Sequence, residues 1–282
     1  MIRVDYRIIA LDLDGTLTNS QKIITEKTKQ RLMDFQMDGG KVILASGRPT
    51  YGILSHAKTL ELEKRGGYIL AYNGGCAVDC KSGEILFEKT LPADVIPEIC
   101  RLIKSYPVGI NTYEDNYIIA GNQVNKYTEL EARINGMEIR EVGDLADYVD
   151  FSVNKLLLQG EPEVIVELEK LLSEKYKGQL GVFRSEAFFL EIVPDGIDKA
   201  MSIDRLLGML DIPTSECVAC GDGFNDISMI RYAGLGVAMS NAKEEVKNIA
   251  DYITLSNDED GIAYLLKKLK KRSIARPQYH KK

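Results

Sequence analysis

Six short apolar runs constrain this chain more than any other feature of it. They are Arg7-Ile8-Ile9-Ala10-Leu11, Val42-Ile43-Leu44-Ala45, Tyr68-Ile69-Leu70-Ala71, Cys217-Val218-Ala219-Cys220, Leu235-Gly236-Val237-Ala238 and Tyr252-Ile253-Thr254-Leu255. None alternates cleanly between apolar and polar residues. Each therefore reads as a strand buried on both faces, as a parallel sheet covered by helices demands. Helical signals lie between the runs. Thr25 can cap a helix ending at Gly39-Gly40, Asn241 and Glu244 have the spacing of a capping box, and Ile262, Leu265, Leu266 and Leu269 form one apolar face. The two ends of the chain are expected to form an α/β unit.

The middle of the chain follows another pattern. Ile110-Asn111-Thr112-Tyr113 and Asn116-Tyr117-Ile118-Ile119 alternate and predict a hairpin with Asp115 in its turn. Val182-Phe183-Arg184 and Phe188 to Ile192 predict a second. With helical stretches near residues 123–134 and 163–176, this suits an α+β unit with one antiparallel sheet, inserted into the first. The expected division is residues 1–82 and 193–282 as a discontinuous core, with residues 83–192 as the insertion. At 282 residues, two domains also match the length.

Scarce residues narrow the chemistry. With only His56 and His280, a zinc site built on three histidines is excluded within one chain. Five cysteines, an odd number, read as reduced thiols, and Cys217 and Cys220 read as core thiols on opposite faces of a strand rather than a redox or zinc pair. The longest apolar stretches fall short of a membrane span, and the first residues lack the order of a secretory signal, which points to the cytoplasm. A net charge of −6 argues against nucleic acid as the main partner. Residues 267–282 alone hold eight bases and no acid, leaving 28 bases against 42 acids elsewhere. That tail reads as a helix end, where positive charge suits the dipole, followed by a solvated segment.

The first strand runs into Asp12-Leu13-Asp14-Gly15-Thr16. Two carboxylates two residues apart at a strand end project to one side, at the carboxyl edge where ligands bind in open α/β sheets. An Asp-x-Asp-Gly is also an ordinary turn former. As a site, the two like charges call for a compensating cation. The second strand runs into Ser46-Gly47-Arg48, and the fourth into Gly221-Asp222-Gly223-Phe224-Asn225-Asp226. A hard, oxygen-rich set of this kind suits Mg²⁺. Lys199 heads a predicted helix, where a cation opposes the dipole unless an anion is close by. Taken singly, Ser46 reads equally as a helix cap and Lys199 as a solvated surface charge.

Together, DxDGT, Ser before Gly at the second strand, Lys199 and GDxxND resemble the haloacid dehalogenase-like phosphatase superfamily. Tyr72-Asn73-Gly74-Gly75 and Val237 to Ala242 further resemble its Cof-type subgroup, which carries the larger, C2-type cap. The resemblance implies a Rossmann-like parallel-sheet core with an inserted α+β cap that closes over the site and chooses the substrate. It implies Asp12 as nucleophile, Asp14 as general acid and base, and Mg²⁺ held by Asp12, the Asp14 carbonyl and Asp222, with Asn225 and Asp226 supporting. Ser46 and Lys199 would hold the phosphoryl group, and Gly15, Thr16, Gly47, Arg48, Asn73 and Asn241 would lie on the substrate side. Arg184 and Glu186 are cap candidates for specificity. The implied activity is hydrolysis of small phosphate esters, such as sugar phosphates or phosphorylated cofactors, with no membrane or nucleic-acid partner. A phosphomutase of the same superfamily and a non-catalytic binding protein are the alternatives.

Overall fold

The computed structural model describes residues 6–270. In chain order, the first stretch contains β1 (Ile8–Leu11), α1 (Glu26–Met37), β2 (Lys41–Ala45), α2 (Thr50–Thr59), α3 (Leu62–Arg65), β3 (Tyr68–Ala71), β4 (Cys76–Asp79) and β5 (Ile85–Glu88). The middle contains α4 (Val95–Ile103), β6 (Gly109–Glu114), β7 (Tyr117–Gly121), α5 (Lys126–Asn135), β8 (Glu138–Glu141), α6 (Leu145–Tyr148), β9 (Leu156–Gln159), α7 (Pro162–Lys175), β10 (Leu180–Glu186) and β11 (Phe189–Pro194). The last stretch contains α8 (Lys199–Met209), β12 (Cys217–Gly221), α9 (Ile227–Tyr232), β13 (Leu235–Ala238), α10 (Glu244–Ile249), β14 (Tyr252–Ile253) and α11 (Gly261–Lys270).

The chain divides into two compact units. One takes the residues up to Gly47, Ile53–Leu86 and those from Asp198 on; the other takes Arg48–Gly52 and Phe87–Ile197. The first unit is built on a sheet ordered β14-β13-β12-β1-β2-β3-β4-β5. From β14 to β3 every pairing is parallel, with Ile8 aligned to Cys217 on one side and Lys41 on the other. The six apolar runs supply these six strands; the apolar residues of the first five are buried, whereas in the edge strand β14 Ile253 is half-exposed. β1 is central because its neighbours cover both its edges and helices cover both its faces. Beyond β3 the sheet departs from the expected parallel pattern. β4 pairs antiparallel with β3 across the tight turn at Tyr72–Gly74, and β5 follows it.

Local signals were mostly honoured. The Thr25 hydroxyl accepts from the Thr28 N–H and caps α1, and Gly39 just past its end adopts φ +92. Ile262, Leu265 and Leu266 are buried on α11, with Leu269 half-buried. The capping box expected from Asn241 and Glu244 does not form. Lys243 precedes α10 without a side-chain cap, and Asn241 is engaged elsewhere. The basic tail beyond Lys270 lies outside the described residues.

The second unit is a six-stranded sheet ordered β10-β11-β9-β6-β7-β8. Both predicted hairpins are present, β6–β7 with Asp115 at φ +49 in its turn and β10–β11. The sheet is not purely antiparallel, because β7 and β8 run parallel. The ten-residue α5 between them supplies the crossover that parallel pairing requires. Ile96, Ile99 and Ile103 of α4 and Ile165, Leu168 and Leu172 of α7 pack with Ile110, Leu156, Leu158, Leu190 and Ile192 of the sheet in one core. All five cysteines are free thiols, and burial pushes the Cys217 thiol up to about 12, as befits a core residue. No described helix is long and apolar enough to cross a membrane.

Candidate active site

Asp12 is the first residue after β1, at the carboxyl edge of the most central strand. Its N–H donates to the Cys220 carbonyl at 3.1 Å, which ties the end of β1 to β12. The loop that follows closes on itself. Leu17 N–H donates to Asp12 O, and both the N–H and the hydroxyl of Thr18 donate to Leu13 O. Gly15 at the apex has φ +81, and a Cβ there would lie 2.4 Å from the Asp222 carboxylate, so only glycine permits the two loops to meet. Asp12 is buried, whereas the Asp14 side chain is 37% exposed and has Lys22 Nζ 2.7 Å from its Oδ1.

The second loop follows β12. Asp226, in the single turn Phe224–Asp226, turns its Oδ2 back to accept the N–H groups of Asp222 at 3.0 Å and Gly223 at 2.9 Å. This fixes the backbone from which Asp222 projects. A Cβ on Gly221 would lie 2.3 Å from Asp226 Cβ, so the strand must end in glycine for that fold-back. Thr16 Oγ1 donates to Asp222 Oδ1 at 2.8 Å and links the first loop to the second.

Lys199 completes the cluster. Asp198 caps α8 by accepting from the N–H groups of Ala200 and Met201, and Lys199 follows as the first helical residue. Its ammonium lies 2.7 Å from Asp12 Oδ1 and 2.7 Å from Asp226 Oδ1, and its side chain is completely buried. The anions that offset its unfavourable position at the helix start are thus these two carboxylates. Burial works against the charged form of Lys199, but the pull of Asp12 and Asp226 outweighs it and its pKa is raised.

Two of the three clustered carboxylates, Asp12 and Asp226, share this ammonium. The ligand-capable oxygens of Asp12, Asp222 and Asp226 all lie within 4.8 Å of one another. Burial first, and then the Asp226 charge, raises Asp12 to about 8, and burial raises Asp222 to about 6 despite the Thr16 hydrogen bond. The cluster is short of positive charge. Oxygen-only donors at this spacing fit Mg²⁺, whose opposed ligands lie about 4.2 Å apart. Asp226 already uses one oxygen on Lys199 and the other on two backbone N–H groups, so Asp12 and Asp222 offer the more available oxygens.

Comparison with known proteins places this architecture. Residues 9–266 match the family model for haloacid dehalogenase-like hydrolases. The chain belongs to that family. Among solved structures it resembles a haloacid dehalogenase-like hydrolase from Bacteroides thetaiotaomicron, with a TM-score of 0.91 and 44% identity over 94% of this chain and 100% of the other. It also resembles the HAD subclass IIB sugar phosphatase BT4131, with a TM-score of 0.78 and 26% identity over 95% of this chain and 100% of the other. A curated relative from Bacillus subtilis, the 5-amino-6-(5-phospho-D-ribitylamino)uracil phosphatase YitU, is 29% identical over 92% of this chain and 96% of its own length. The chain is an enzyme, a phosphoric monoester hydrolase of the haloacid dehalogenase-like family.

In this haloacid dehalogenase-like hydrolase several residues expected on the substrate side have hydrogen-bond partners within the chain. Thr16 holds Asp222. Asn241 donates from Nδ2 to the Gly15 carbonyl at 2.8 Å and accepts at Oδ1 from the Asn257 N–H, so both ends of its amide are engaged. Asn73, at φ +56, donates its N–H to Ser46 O at 2.8 Å and accepts at Oδ1 from Asn225 Nδ2 at 3.1 Å. Asn225 therefore steadies the turn after β3. Gly47 allows the approach of Asn73, whose Nδ2 would lie 3.0 Å from a Cβ there. Ser46 is buried at the end of β2, anchored through its own N–H to Leu70 O. Arg48 groups with the second unit and donates from Nη1 to Ile134 O at 3.0 Å, near the carboxyl end of α5, where a cation suits the helix dipole. Arg184 is paired within the second unit. Its Nε and N–H both bond Glu169 of α7, on the helix-covered face of the sheet, while Glu186 lies past a register shift at the exposed end of β10.

Proposed function

We propose that this protein is a Mg²⁺-dependent phosphatase of small phosphorylated metabolites, sugar phosphates or phosphorylated cofactors, and that it works through a phosphoryl group carried on Asp12. The observation that carries this reading is the buried Asp12 carboxylate held 2.7 Å from Lys199 in a cluster with Asp222 and Asp226.

Asp12 is the nucleophile. Its free carboxylate oxygen attacks phosphorus as the ester P–O bond breaks, and Asp14 gives its proton to the departing oxygen. Water then attacks the acyl phosphate, Asp14 takes up a proton from it, and inorganic phosphate leaves with Asp12 restored as a carboxylate. Asp14 is the better exposed of the two acids, which supports its exchange of protons with substrate and water. The Lys199 ammonium and the Ser46 hydroxyl hold phosphoryl oxygens as charge redistributes, and Lys199 also keeps the Asp12 carboxyl oriented by its short bond to Oδ1. Asp12, the Asp14 carbonyl and Asp222 are the Mg²⁺ ligands, supported by Asp226 and Asn225, and the bound ion supplies neutralisation of the phosphoryl charge.

Residues 1–82 and 193–282 are read as the catalytic core and residues 83–192 as a cap that selects the substrate. The relatives named for a ribityl phosphate and for sugar phosphates support a polyhydroxylated ester as substrate. The test is a panel of phosphorylated metabolites assayed for phosphate release with Mg²⁺ and with a chelator, in wild type and Asp12→Asn. Release is expected to need both the metal and Asp12. Unchanged turnover in Asp12→Asn, or full activity in chelator, overturns the reading.

A further inference from the structure

Three residues in succession, Tyr72, Asn73 and Gly74, have φ of +53, +56 and +99 in the turn between β3 and β4. The left-handed region disfavours any residue with a Cβ, and two such residues in a row persist only where surrounding bonds hold them. Those bonds are present. Asn73 N–H donates to Ser46 O at 2.8 Å, Asn73 Oδ1 accepts from Asn225 Nδ2 at 3.1 Å, and Gly75 N–H closes the turn on Tyr72 O at 3.1 Å. A further bond comes from α8. Ser202 Oγ donates to Gly74 O at 2.8 Å, across 128 residues of sequence.

Ser202 is buried in the first turn of α8, three residues after Lys199. A serine inside a helix is a poorer helix former than alanine, and its hydroxyl ordinarily turns to its own backbone. Here the hydroxyl crosses to another loop, while the Ser202 N–H donates to Asp198 O. The fit between turn and helix is close. A Cβ on Gly74 would lie 2.4 Å from Ser202 Oγ and 3.0 Å from Asp198 O, so the turn rests directly against the start of α8. The end of β2 at Ser46, the loop after β12 at Asn225 and the start of α8 at Ser202 thus meet on two adjoining residues, Asn73 and Gly74. Ser46 and Lys199, the proposed holders of the phosphoryl oxygens, stand on the first and last of these elements.

We propose that Ser202 is a positioning residue which, through the left-handed turn Tyr72–Gly74, fixes the spacing between Ser46 and Lys199. Its catalytic meaning rests on the phosphatase reading. A pair of donors set in advance for the oxygens of the transferring phosphoryl group needs no rearrangement as the reaction proceeds. Lys199 is also held by Asp12 and Asp226, so losing the Ser202 hydroxyl loosens the spacing without releasing the ammonium.

The test uses wild type, Ser202→Ala, Ser46→Ala and the double variant, all below their melting temperatures. With p-nitrophenyl phosphate and Mg²⁺, Ser202→Ala is expected to lower kcat about tenfold while KM stays within about twofold. Calorimetry is expected to show affinity for orthovanadate, which takes up the five-coordinate shape of phosphorus in transit, falling about tenfold and affinity for inorganic phosphate less than about threefold. In the Ser46→Ala background the spacing has lost one end, and Ser202→Ala should then weaken vanadate less than about twofold further. Unchanged kcat in Ser202→Ala, unchanged vanadate affinity, or the same loss of vanadate affinity in both backgrounds overturns the proposal. Ser202 is then a bond that supports the fold alone, and the phosphatase reading is untouched. No phosphate release from any ester by wild type, with vanadate affinity still falling in Ser202→Ala, overturns the proposed reaction and leaves the positioning link standing.

Discussion

The side-chain amide of Asn241 holds the main-chain carbonyl of Gly15 at 2.8 Å, three residues from Asp12 and 226 residues away in the chain. Its other end accepts from Asn257, so one amide joins the Asp12–Thr18 loop to the segment after β14. Asn241→Ala should lose about 1 kcal/mol of that support and about fivefold in turnover. Asn241→Asp keeps the acceptor for Asn257 but sets a negative charge against the Gly15 carbonyl, and should lose more. Steady-state phosphate release, with Mg²⁺ titrated in each variant, measures both.

Neutralising the proposed nucleophile should trade activity for stability. Asp12 shares the Lys199 ammonium with Asp226 and lies in one cluster with Asp222, and its carboxyl is held well above the usual carboxylate range by burial and by Asp226. Asp12→Asn relieves that crowding while Lys199 keeps Asp226. At pH 8 without metal the variant should melt roughly 2–4 °C higher than wild type, as expected for about 1 kcal/mol. Thermal unfolding of the two proteins in chelator decides it, and a lower melting temperature would refute the crowding argument.

Removing the cation should have the opposite effect. Lys199→Met leaves Asp12 and Asp226 buried with no counter-charge, and breaking a buried ion pair from one side costs about 3–5 kcal/mol. Adding Asp12→Asn to Lys199→Met should recover part of the loss. A double-mutant cycle read by urea unfolding gives the coupling, and purely additive losses would contradict a shared site.

Mg²⁺ should stabilise the protein more as the pH rises. Carboxyls raised in the folded state favour the protonated form. Their contribution to apo stability is therefore present below about pH 4, the unfolded value, and is lost as the pH climbs through about 6 for Asp222 and about 8 for Asp12. Protons and the metal compete for the same oxygens. The melting-temperature gain from saturating Mg²⁺ should grow from pH 5 to pH 8, and calorimetry in buffers of different ionisation heat should detect proton release on binding. A gain that shrinks with pH would count against Asp12 and Asp222 as ligands.

Much of this was legible in the chain because its signals are local. An apolar run without alternation needs two covered faces whatever its neighbours, and Asp12, Lys199, Asp222 and Asp226 each sit at a strand end or helix start that the sequence marks. Other features depend on contacts no local pattern encodes. Asn241 and Glu244 have capping-box spacing, yet the amide is drawn off by Gly15 and Asn257. β4 and β5 each end in an acid, without the uninterrupted apolar run that marks β1, β3 and β13. The β6 alternation tells which residues share a face, but not that α5 buries the polar side of it, so Asn111 reads as solvent-facing until the helix is seen. The bond from Arg184 to Glu169 of α7 is likewise invisible in the alternation of β10.

The central strand of the sheet also sets an order of events during synthesis. β2 follows β1 closely in the chain, but the partner for the other edge of β1, the strand β12, is 209 residues later, and the Lys199 bond to Asp12 closes a separation of 187. At translation rates of about 5–20 residues per second, that interval lasts roughly 10–40 s. Throughout it the strand that ends in the proposed nucleophile lacks its β12 partner, and Asp12 has neither its ammonium nor its fellow carboxylates. On the proposed mechanism, chemical competence therefore arrives only after about four-fifths of the polypeptide exists, and a chain ending before β12 is expected to be inert toward phosphate esters however well its first half has folded.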